Sequence, residues 1–200
     1  MVRNQKMRLA LAVGSLFVAL ASSSCGYNSL QGMDEDVKAS WSEVQNQYQR
    51  RADLIPNLVE VVKGYASHEQ ETLTAVVEAR SKATGVTLQA NDLSDVEKFK
   101  QYQEAQGGLT QALSRLMVLT ENYPDLKANQ NFRDLQAQLE GTENRITVAR
   151  NRYIEKVAEF NKGVRFFPTN LTAKFLLGLN VRESFTAAPE AAKAPEVKFK

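Results

Sequence analysis

The chain has 200 residues, of which 25 are basic and 23 acidic, giving a formal net charge of +2. Glycine and proline are sparse and aromatic residues make up 8% of the chain, a balance that favours helices over sheets within one domain. Three basic residues lie before residue 25, and without residues 1–24 the chain carries 22 basic and 23 acidic residues. Nucleic-acid binding requires a concentrated basic face, and the sequence predicts none.

Residues 1–24 have the pattern of a bacterial signal peptide. Arg3, Lys6 and Arg8 precede a predominantly apolar run of thirteen residues, from Leu9 to Ala21. A spanning helix needs about 20 apolar residues, so this run has the length of a signal-peptide core.

Small residues then lead to Cys25, the only cysteine, as at a bacterial lipoprotein processing site, although Ser22 stands where leucine is usual. We predict that residues 1–24 are removed, that Cys25 is acylated, and that residues 25–33 form a lipidated tether. The alternatives are an uncleaved anchor and a cleaved, soluble protein with a free thiol.

The first long helix is predicted to open at Asp34, because acidic residues in a first turn suit the helix dipole. Apolar residues then recur at spacings of three and four, which is the pattern of a helix packed on partner helices. They are Val37, Trp41, Val44, Tyr48, Ala52, Ile55, Val59, Val62, Ala66, Leu73 and Val76. Because this stripe keeps its phase through Pro56, we favour one helix kinked there. The alternative is two helices, with Asp53 capping the second.

A break at residues 85–91 separates this helix from helix two, which Asn91 or Ser94 is expected to cap. The stripe of helix two is Val96, Phe99, Gln103, Gln106, Leu109, Leu113, Leu116, Thr120 and Tyr123. The pair Gly107-Gly108 in its middle indicates either close helix approach or a local bend. Pro124 ends this helix, because the residue before a proline avoids helical geometry.

Asn129 or Asn131 is expected to cap helix three. Its stripe is Phe132, Leu135, Leu139, Thr142, Ile146, Ala149, Tyr153, Val157, Phe160 and Val164. Phe167-Pro168 stops the helix, Asn170 can cap a last short helix over residues 171–177, and residues 186–200 are predicted to be disordered.

Three long helices and one short helix with short connections predict an all-α, elongated antiparallel bundle over residues 34–185. The spacing of the stripes would also let a second copy of the chain pack alongside, as in a coiled coil.

Four segments resemble the LemA family of bacterial membrane-associated helical proteins. They are RRADLIPNLVEVVKGYASHE from Arg50 to Glu69, ENYPDLKAN from Glu121 to Asn129, TENRI from Thr142 to Ile146, and FPTN from Phe167 to Asn170. The resemblance runs in order from Tyr27 to Phe185. It implies a long helical bundle, and the molecular activity of the family is not settled.

The segments that carry this resemblance place polar residues on otherwise apolar helices. On helix one these are Arg50, Arg51, Asp53 and Asn57, and on helix three Glu140, Thr142, Glu143, Asn144 and Arg150. Facing one another, they would form a buried charged network that fixes the register of the helices. We favour this register-setting role for Arg50, Arg51, Asp53, Asn57, Glu143 and Asn144, and a ligand-binding site is the alternative.

Catalytic and metal-binding patterns are weak in this sequence. His68 is the only histidine, and the zinc-protease pattern HExxH that begins there has Thr72 where the second histidine is required. There is no cysteine or histidine cluster, no glycine-rich phosphate loop and no nucleophile elbow. We therefore expect no enzymatic activity, metal or cofactor.

The segment from Val164 to Leu179 is apolar at nearly every position. Such a segment must be covered by its own bundle, by a partner or by a membrane. We favour its own bundle.

Together these features predict a membrane-anchored, non-enzymatic envelope protein that acts as a scaffold or adaptor through exposed helix faces. The alternative is a periplasmic small-ligand or peptide-binding protein that uses a cleft between helices one and three. The expected partners are the membrane through Cys25, an envelope protein, and a second copy of the chain. We expect the protein to face the periplasm, with the outer membrane favoured over the inner, because Gly26 does not look like an inner-membrane retention signal.

Overall fold

The computed structural model describes the backbone of residues 2–186 and the side chains of residues 26–186. Within this range the chain is helical and has no strand: α1 (Val2–Tyr65), α2 (Gln70–Gly85), α3 (Val96–Thr120), α4 (Pro124–Ala128), α5 (Gln130–Arg165) and α6 (Thr169–Thr172). The predicted all-α class is confirmed. The predicted signal peptide and Cys25 lie where no side chain is described, and residues 187–200 of the predicted tail lie outside the described residues.

The helices α1 and α5 run antiparallel and form the spine of the bundle. At one end Gly26 lies against Thr169, with 3.2 Å between the Cβ position of the glycine and the threonine Cγ2. At the other end the Asn129 side-chain amide donates a hydrogen bond to the Tyr65 hydroxyl at 2.9 Å. The remaining elements pack along this pair.

The stripe predicted for helix three is confirmed in α5, where eight of its ten positions are buried and Leu135 and Val164 are half-buried. Asn129 caps this helix, because its side-chain oxygen accepts a hydrogen bond from the Phe132 amide at 3.1 Å. The helix ends at Arg165, just before the expected stop at Phe167-Pro168.

Helix one differs from the prediction at both ends. No helix opens at Asp34, because α1 passes unbroken through the residues expected to form a tether. The same helix also passes through Pro56, so the proposed second helix capped by Asp53 does not exist. It then ends at Tyr65, and α2 begins only at Gln70, so the stripe that runs on to Val76 belongs to two helices.

The carbonyl group that Pro56 leaves without a helical donor is bound by another helix. Proline has no N–H group, so the Ala52 carbonyl four residues earlier cannot receive its usual helical hydrogen bond. The Arg80 Nε of α2 donates to this carbonyl at 2.8 Å. Pro56 thus creates an acceptor on the side of α1 where α2 packs, and α1 continues without a break.

The elements that cover the spine divide the core into two apolar clusters. In the first half of the bundle, Trp41 packs against Phe99, Tyr102 and Tyr153, and Phe185 from the end of the described chain completes this cluster. In the second half, α2 and α3 cover α1 and α5 with apolar, mostly aliphatic residues between Ile55 and Leu139. The C-terminal segment, residues 178–186, therefore covers the first half of the bundle, as α2 covers the second half.

The cap of helix two is Asp95, not Asn91 or Ser94. Its side chain accepts hydrogen bonds from the amides of Glu97 and Lys98, both at 3.1 Å. An aspartate at this position satisfies two of the free N–H groups of the first turn and places a negative charge at the positive end of the helix dipole.

Within α3 the buried face differs slightly from the predicted stripe. Tyr102 is buried in place of the half-buried Gln103, and Val96 is exposed. The close-approach interpretation of Gly107 and Gly108 is wrong, because both glycines are exposed and a Cβ atom on either would meet nothing within 4 Å.

The last predicted helix is present, but Asn170 does not cap it. It begins at Thr169 as α6 and continues as one π-helical turn, Ala173–Leu177. Gly178 ends this turn with φ of +61°, a left-handed conformation that favours glycine. The chain then turns back along the bundle.

We expect the Pro56→Ala substitution to remove most of the stabilising effect of Arg80. In the wild-type chain Arg80→Met should lower the free energy of unfolding by about 1.5–3 kcal/mol, because a buried carbonyl loses a charged donor. With alanine at position 56 the helix itself supplies the donor, so the cost of Arg80→Met should fall by about 1–2 kcal/mol. Urea unfolding of the single and double variants measures this coupling.

The control is Lys82→Met, at an exposed position of the same helix. Its effect on stability should be independent of the residue at position 56. Additive effects of Pro56→Ala and Arg80→Met would contradict the compensation.

Candidate functional site

A buried guanidinium lies between the two apolar clusters. The Arg51 side chain is only 1% exposed, yet it carries a full positive charge. Its Nη1 donates to Glu143 Oε1 at 2.8 Å and to Thr110 Oγ1 at 2.9 Å, and its Nη2 donates to Gln106 Oε1 at 2.7 Å. We call Arg51, Gln106, Thr110 and Glu143 the Arg51 layer.

The Arg51 layer connects all four long helices. Arg51 belongs to α1, Gln106 and Thr110 to α3, and Glu143 to α5. The Gln106 side-chain amide also donates to the carbonyl of Ala83 in α2 at 3.1 Å. Because the partners of Arg51 lie on α3 and α5, and Gln106 also binds α2, these hydrogen bonds form together in one register of the bundle only.

The environment of Arg51 compensates its charge on two sides. Glu143 is 40% exposed, so its carboxylate stays partly hydrated while it pairs with the buried guanidinium. On the opposite side the guanidinium carbon lies 5.1 Å from the centre of the Tyr48 ring, within the range of a cation–π interaction. A buried charge with these partners is tolerated, whereas an unpaired one would not be.

The structure brings together only part of the predicted polar set. Arg51 and Glu143 meet, and Thr142 is buried beside them. The other predicted residues lie on the surface or elsewhere: Arg50, Asp53, Asn57, Glu140 and Asn144 are exposed, and the half-buried Arg150 lies over the ring of Phe185. Of the six residues predicted to bind a ligand or set the register, only Arg51 and Glu143 therefore bind each other.

A second buried ion pair lies near the other end of the bundle. Asp34 is 5% exposed and accepts from Arg182 Nη2 at 2.9 Å and from Lys38 Nζ at 2.8 Å. Burial alone would raise the pKa of Asp34, but the hydrogen bonds and charges of Lys38 and Arg182 outweigh it and hold this pKa below its ordinary value. Asn161 on α5 binds both the amide and the carbonyl of Arg182, which fixes the C-terminal segment in place.

A groove of about 150 Å³ opens beside the Arg51 layer, between α1, the end of α2 and α3. The phenol groups of Tyr48 and Tyr102 line it, and burial raises the pKa of both, so they remain neutral. Small-molecule sites usually enclose roughly 300–1,000 Å³. The groove is smaller than that. It also does not lie in the expected cleft between predicted helices one and three, which correspond to α1 and α5.

A cluster of exposed apolar side chains lies at the end of the bundle where Gly26 meets Thr169. We call it the apolar tip, and it consists of Phe166, Phe167, Leu171, Phe175 and Leu176, which are 49–79% exposed. The expectation that this segment packs on its own bundle is wrong for these five side chains. It holds for Thr172 and Ala173, which are buried.

The described residues offer no cluster of metal ligands. No group of three or more His, Cys, Asp or Glu residues in that part of the chain could hold a metal ion. His68 is exposed, as expected for a surface residue. Over residues 26–186, no helical stretch is long and apolar enough to cross a membrane.

The predicted site residues do not include Gln106, Asp34 or Arg182. Gln106 lies on the apolar stripe predicted for helix two, where a polar side chain indicates a buried hydrogen bond. Asp34 is predicted only as a first-turn residue, although it lies three residues before Val37 in the phase of the stripe. Nothing in the sequence pointed to Arg182, because its partner is 148 residues away.

A model of the LemA family matches residues 40–199, which include the Arg51 layer, the apolar tip and Arg182. The chain belongs to the LemA family. The resemblance of the four segments is therefore confirmed.

Relatives of the chain are similar over most of its length. Magnetosome proteins MamQ 1 and MamQ 2 of Paramagnetospirillum magneticum are each 28% identical over 197 residues, covering 90% of this chain and 72% of the relative. The protein LemA of Metamycoplasma hominis is 26% identical over 154 residues, covering 77% of this chain and 66% of the relative.

We expect Arg51→Ala to destabilise the bundle by about 3 kcal/mol. The substitution removes a buried charge that binds three side chains and leaves Gln106 and Thr110 without their donor. The neighbouring Arg50→Ala, at an exposed position, should change stability by no more than about 0.5 kcal/mol. Chemical unfolding of both variants measures the difference, and equal effects would show that the layer does not hold the bundle.

We expect Asp34→Asn to cost about 2 kcal/mol at neutral pH, because two charge-assisted hydrogen bonds are weakened. Since the folded-state pKa of Asp34 is lowered, its stabilising effect is complete above the ordinary pKa of about 3.9 and is lost as pH falls through the folded-state value. The stability difference between wild type and Asp34→Asn should therefore shrink below about pH 4.

Unfolding curves recorded between neutral and strongly acidic pH test this expectation. Asp53→Asn, at an exposed position of the same helix, is the control. A difference that stays constant down to the acid transition would contradict the role of the Asp34 carboxylate.

Proposed function

We propose that this LemA family protein is a membrane-anchored, non-enzymatic scaffold or adaptor of the bacterial envelope. In this proposal its helical bundle is a rigid body, its acylated N-terminus holds it on a membrane facing the periplasm, and an exposed helix face binds another envelope protein. The outer membrane is favoured over the inner, because Gly26 after the acylated cysteine does not look like an inner-membrane retention signal.

The observation that carries the proposal is the exposed glycine pair of α3. Gly107 and Gly108 lie in the middle of a helix, where each glycine costs about 1 kcal/mol relative to alanine. Internal packing does not require either of them, since a Cβ atom would meet nothing within 4 Å. A surface that must accept another chain closely gives a reason for both.

The surroundings of Gly108 support a protein partner. The glycine lies in a depression of about 280 Å³ between α2 and α3, whose floor is formed by alanine side chains. Charged residues of both signs line its edges: Glu78, Lys82, Glu104 and Arg115. Small residues permit close approach of a helix, and the mixed charges can pair with polar residues at its edge.

The inside of the bundle favours a structural role over ligand binding. The Nη donors of Arg51 bind neighbouring side chains, and Arg50 and Asp53 are exposed away from this layer. A ligand or peptide site in a cleft between helices one and three would need such groups to remain available.

The anchoring part of the proposal rests on the sequence before the bundle. The positive residues, the predominantly apolar run of thirteen residues and the lone Cys25 have the order found at lipoprotein processing sites. Two or three acyl chains on Cys25 would retain the bundle on a membrane, at about 0.8 kcal/mol for each buried CH₂ group.

The names of the relatives agree with a role in cell architecture. Three of them are called magnetosome proteins, a name that refers to a cellular structure and not to a reaction. We extend to this chain only the general idea of an assembly role.

The test is a crosslinked capture of the full-length protein from its own membranes, with partners identified by mass spectrometry. One near-stoichiometric envelope protein should be recovered with the wild-type chain. Gly108→Leu should lose this partner, because leucine fills the depression, while the free energy of unfolding should stay equal or rise by up to about 1 kcal/mol.

Gly64→Leu is the matched control, because Gly64 is also a helical glycine with open space around it and lies on α1. It should retain the partner. Equal capture by both variants would contradict the α2–α3 face as the binding surface, and recovery of self-crosslinks alone would contradict the adaptor role.

A further inference from the structure

We propose that the apolar tip is a second membrane contact, which inserts its aromatic and aliphatic side chains into the headgroup region of an anionic bilayer. The proposal rests on the membrane anchoring described under the proposed function and adds a site to it. In this arrangement the bundle stands on the membrane at two points, its N-terminal anchor and the apolar tip.

Exposure of the apolar tip is the first observation. Phe167 and Phe175 are 79% and 73% exposed, and Phe166 and Leu176 are each 64% exposed. These side chains lie within twelve residues of one another in sequence, at one end of the bundle. Exposed large apolar side chains elsewhere in the described residues are mostly single valines, such as Val77, Val118 and Val148. Contiguous apolar surface of this kind marks a binding surface.

The position of the tip is the second observation. Thr169, in the middle of the tip segment, contacts Gly26 of α1. Cys25, the proposed site of acylation, directly precedes Gly26. One helical residue rises about 1.5 Å, so acyl chains on Cys25 would place Gly26, and the tip beside it, next to the headgroups.

The charges around the tip are the third observation. No acidic residue occurs at positions 1–33 or 160–182, the two parts of the sequence that meet at this end. Three exposed basic residues, Lys162, Arg165 and Lys174, surround the apolar side chains, whereas Arg182 is bound by Asp34. Aromatic residues with basic neighbours are the composition of segments that lie in the interface of anionic membranes.

Lys174 has a geometry that suits this environment. Its Nζ lies 5.7 Å from the centre of the Phe175 ring, so the cation is held beside the most exposed side chains of the tip. With the ring inserted among the acyl chains near the headgroups, the same ammonium group reaches the phosphate level. The apolar side chains and the basic residues would then act together on one anionic surface.

The test places a fluorescent reporter in the tip of the full-length chain. The single native tryptophan, Trp41, is buried and gives a constant background. A Phe175→Trp variant is purified from membranes in detergent and reconstituted into vesicles of phosphatidylethanolamine and phosphatidylglycerol that carry bromine on their acyl chains. Bromine quenches tryptophan only on contact, so the added fluorescence of this variant should be quenched.

Val118→Trp is the matched control. Val118 is 72% exposed, close to the 73% of Phe175, and it lies near the other end of the bundle. Its added fluorescence should not be quenched. Replacing Lys174 by Glu in the Phe175→Trp chain, or removing phosphatidylglycerol, should reduce the quenching several-fold.

Three results would overturn the proposal. One is a Phe175→Trp chain that floats with the vesicles without being quenched, which leaves the anchor intact. Another is equal quenching of both tryptophan variants. The third is a Phe175→Trp chain that envelope proteins, but not vesicles, shield from iodide, which would assign the tip to a protein partner. A chain that does not float with vesicles at all would overturn the anchoring as well.

Discussion

The Arg51 guanidinium is the interaction on which the arrangement of the four long helices depends. Apolar side chains can slide past one another with small losses, because dispersion and burial have no direction. A buried cation with three side-chain acceptors has no such freedom, since a shift of one helix turn would leave it unpaired. The apolar clusters lie on either side of the Arg51 layer, and we propose that this layer sets the register in which they pack.

Different elements cover the bundle on the two sides of the Arg51 layer. Towards Tyr65, α2 and α3 cover the spine, and Arg80 attaches α2 to the carbonyl that Pro56 leaves free. Towards Gly26, the C-terminal segment packs where α2 is absent, beside Phe99 and Tyr102 of α3, and is held by Arg182 and Phe185. The glycine face of α3 lies beside the Arg51 layer, between Gln106 and Thr110, whereas the apolar tip lies at the end of the bundle near Gly26. The two surfaces proposed for binding are therefore separate places on one body.

Periodicity predicted the fold better than it predicted the polar sites. The stripe of α5 lies in a single helix, so its spacing alone located its buried face. The stripe of α1 continues in phase beyond Tyr65, and no signal in it showed that the helix ends there. Arg51 lies in the phase of its stripe, four residues before Ile55, whereas Arg50 and Asp53 do not, and this distinction was available from the sequence. The pairing of Asp34 with Arg182 was not, because it depends on the path of an irregular segment.

The path of the C-terminal segment also determines when the protein can fold. Asp34 pairs with Arg182, which lies 148 residues further along the chain, and Trp41 packs on Phe185 close to it. Contacts between residues so far apart in sequence form late in folding, because closing a long loop costs entropy before the contact stabilises the chain. The aromatic cluster around Trp41 should therefore close after the contacts between neighbouring helices have formed.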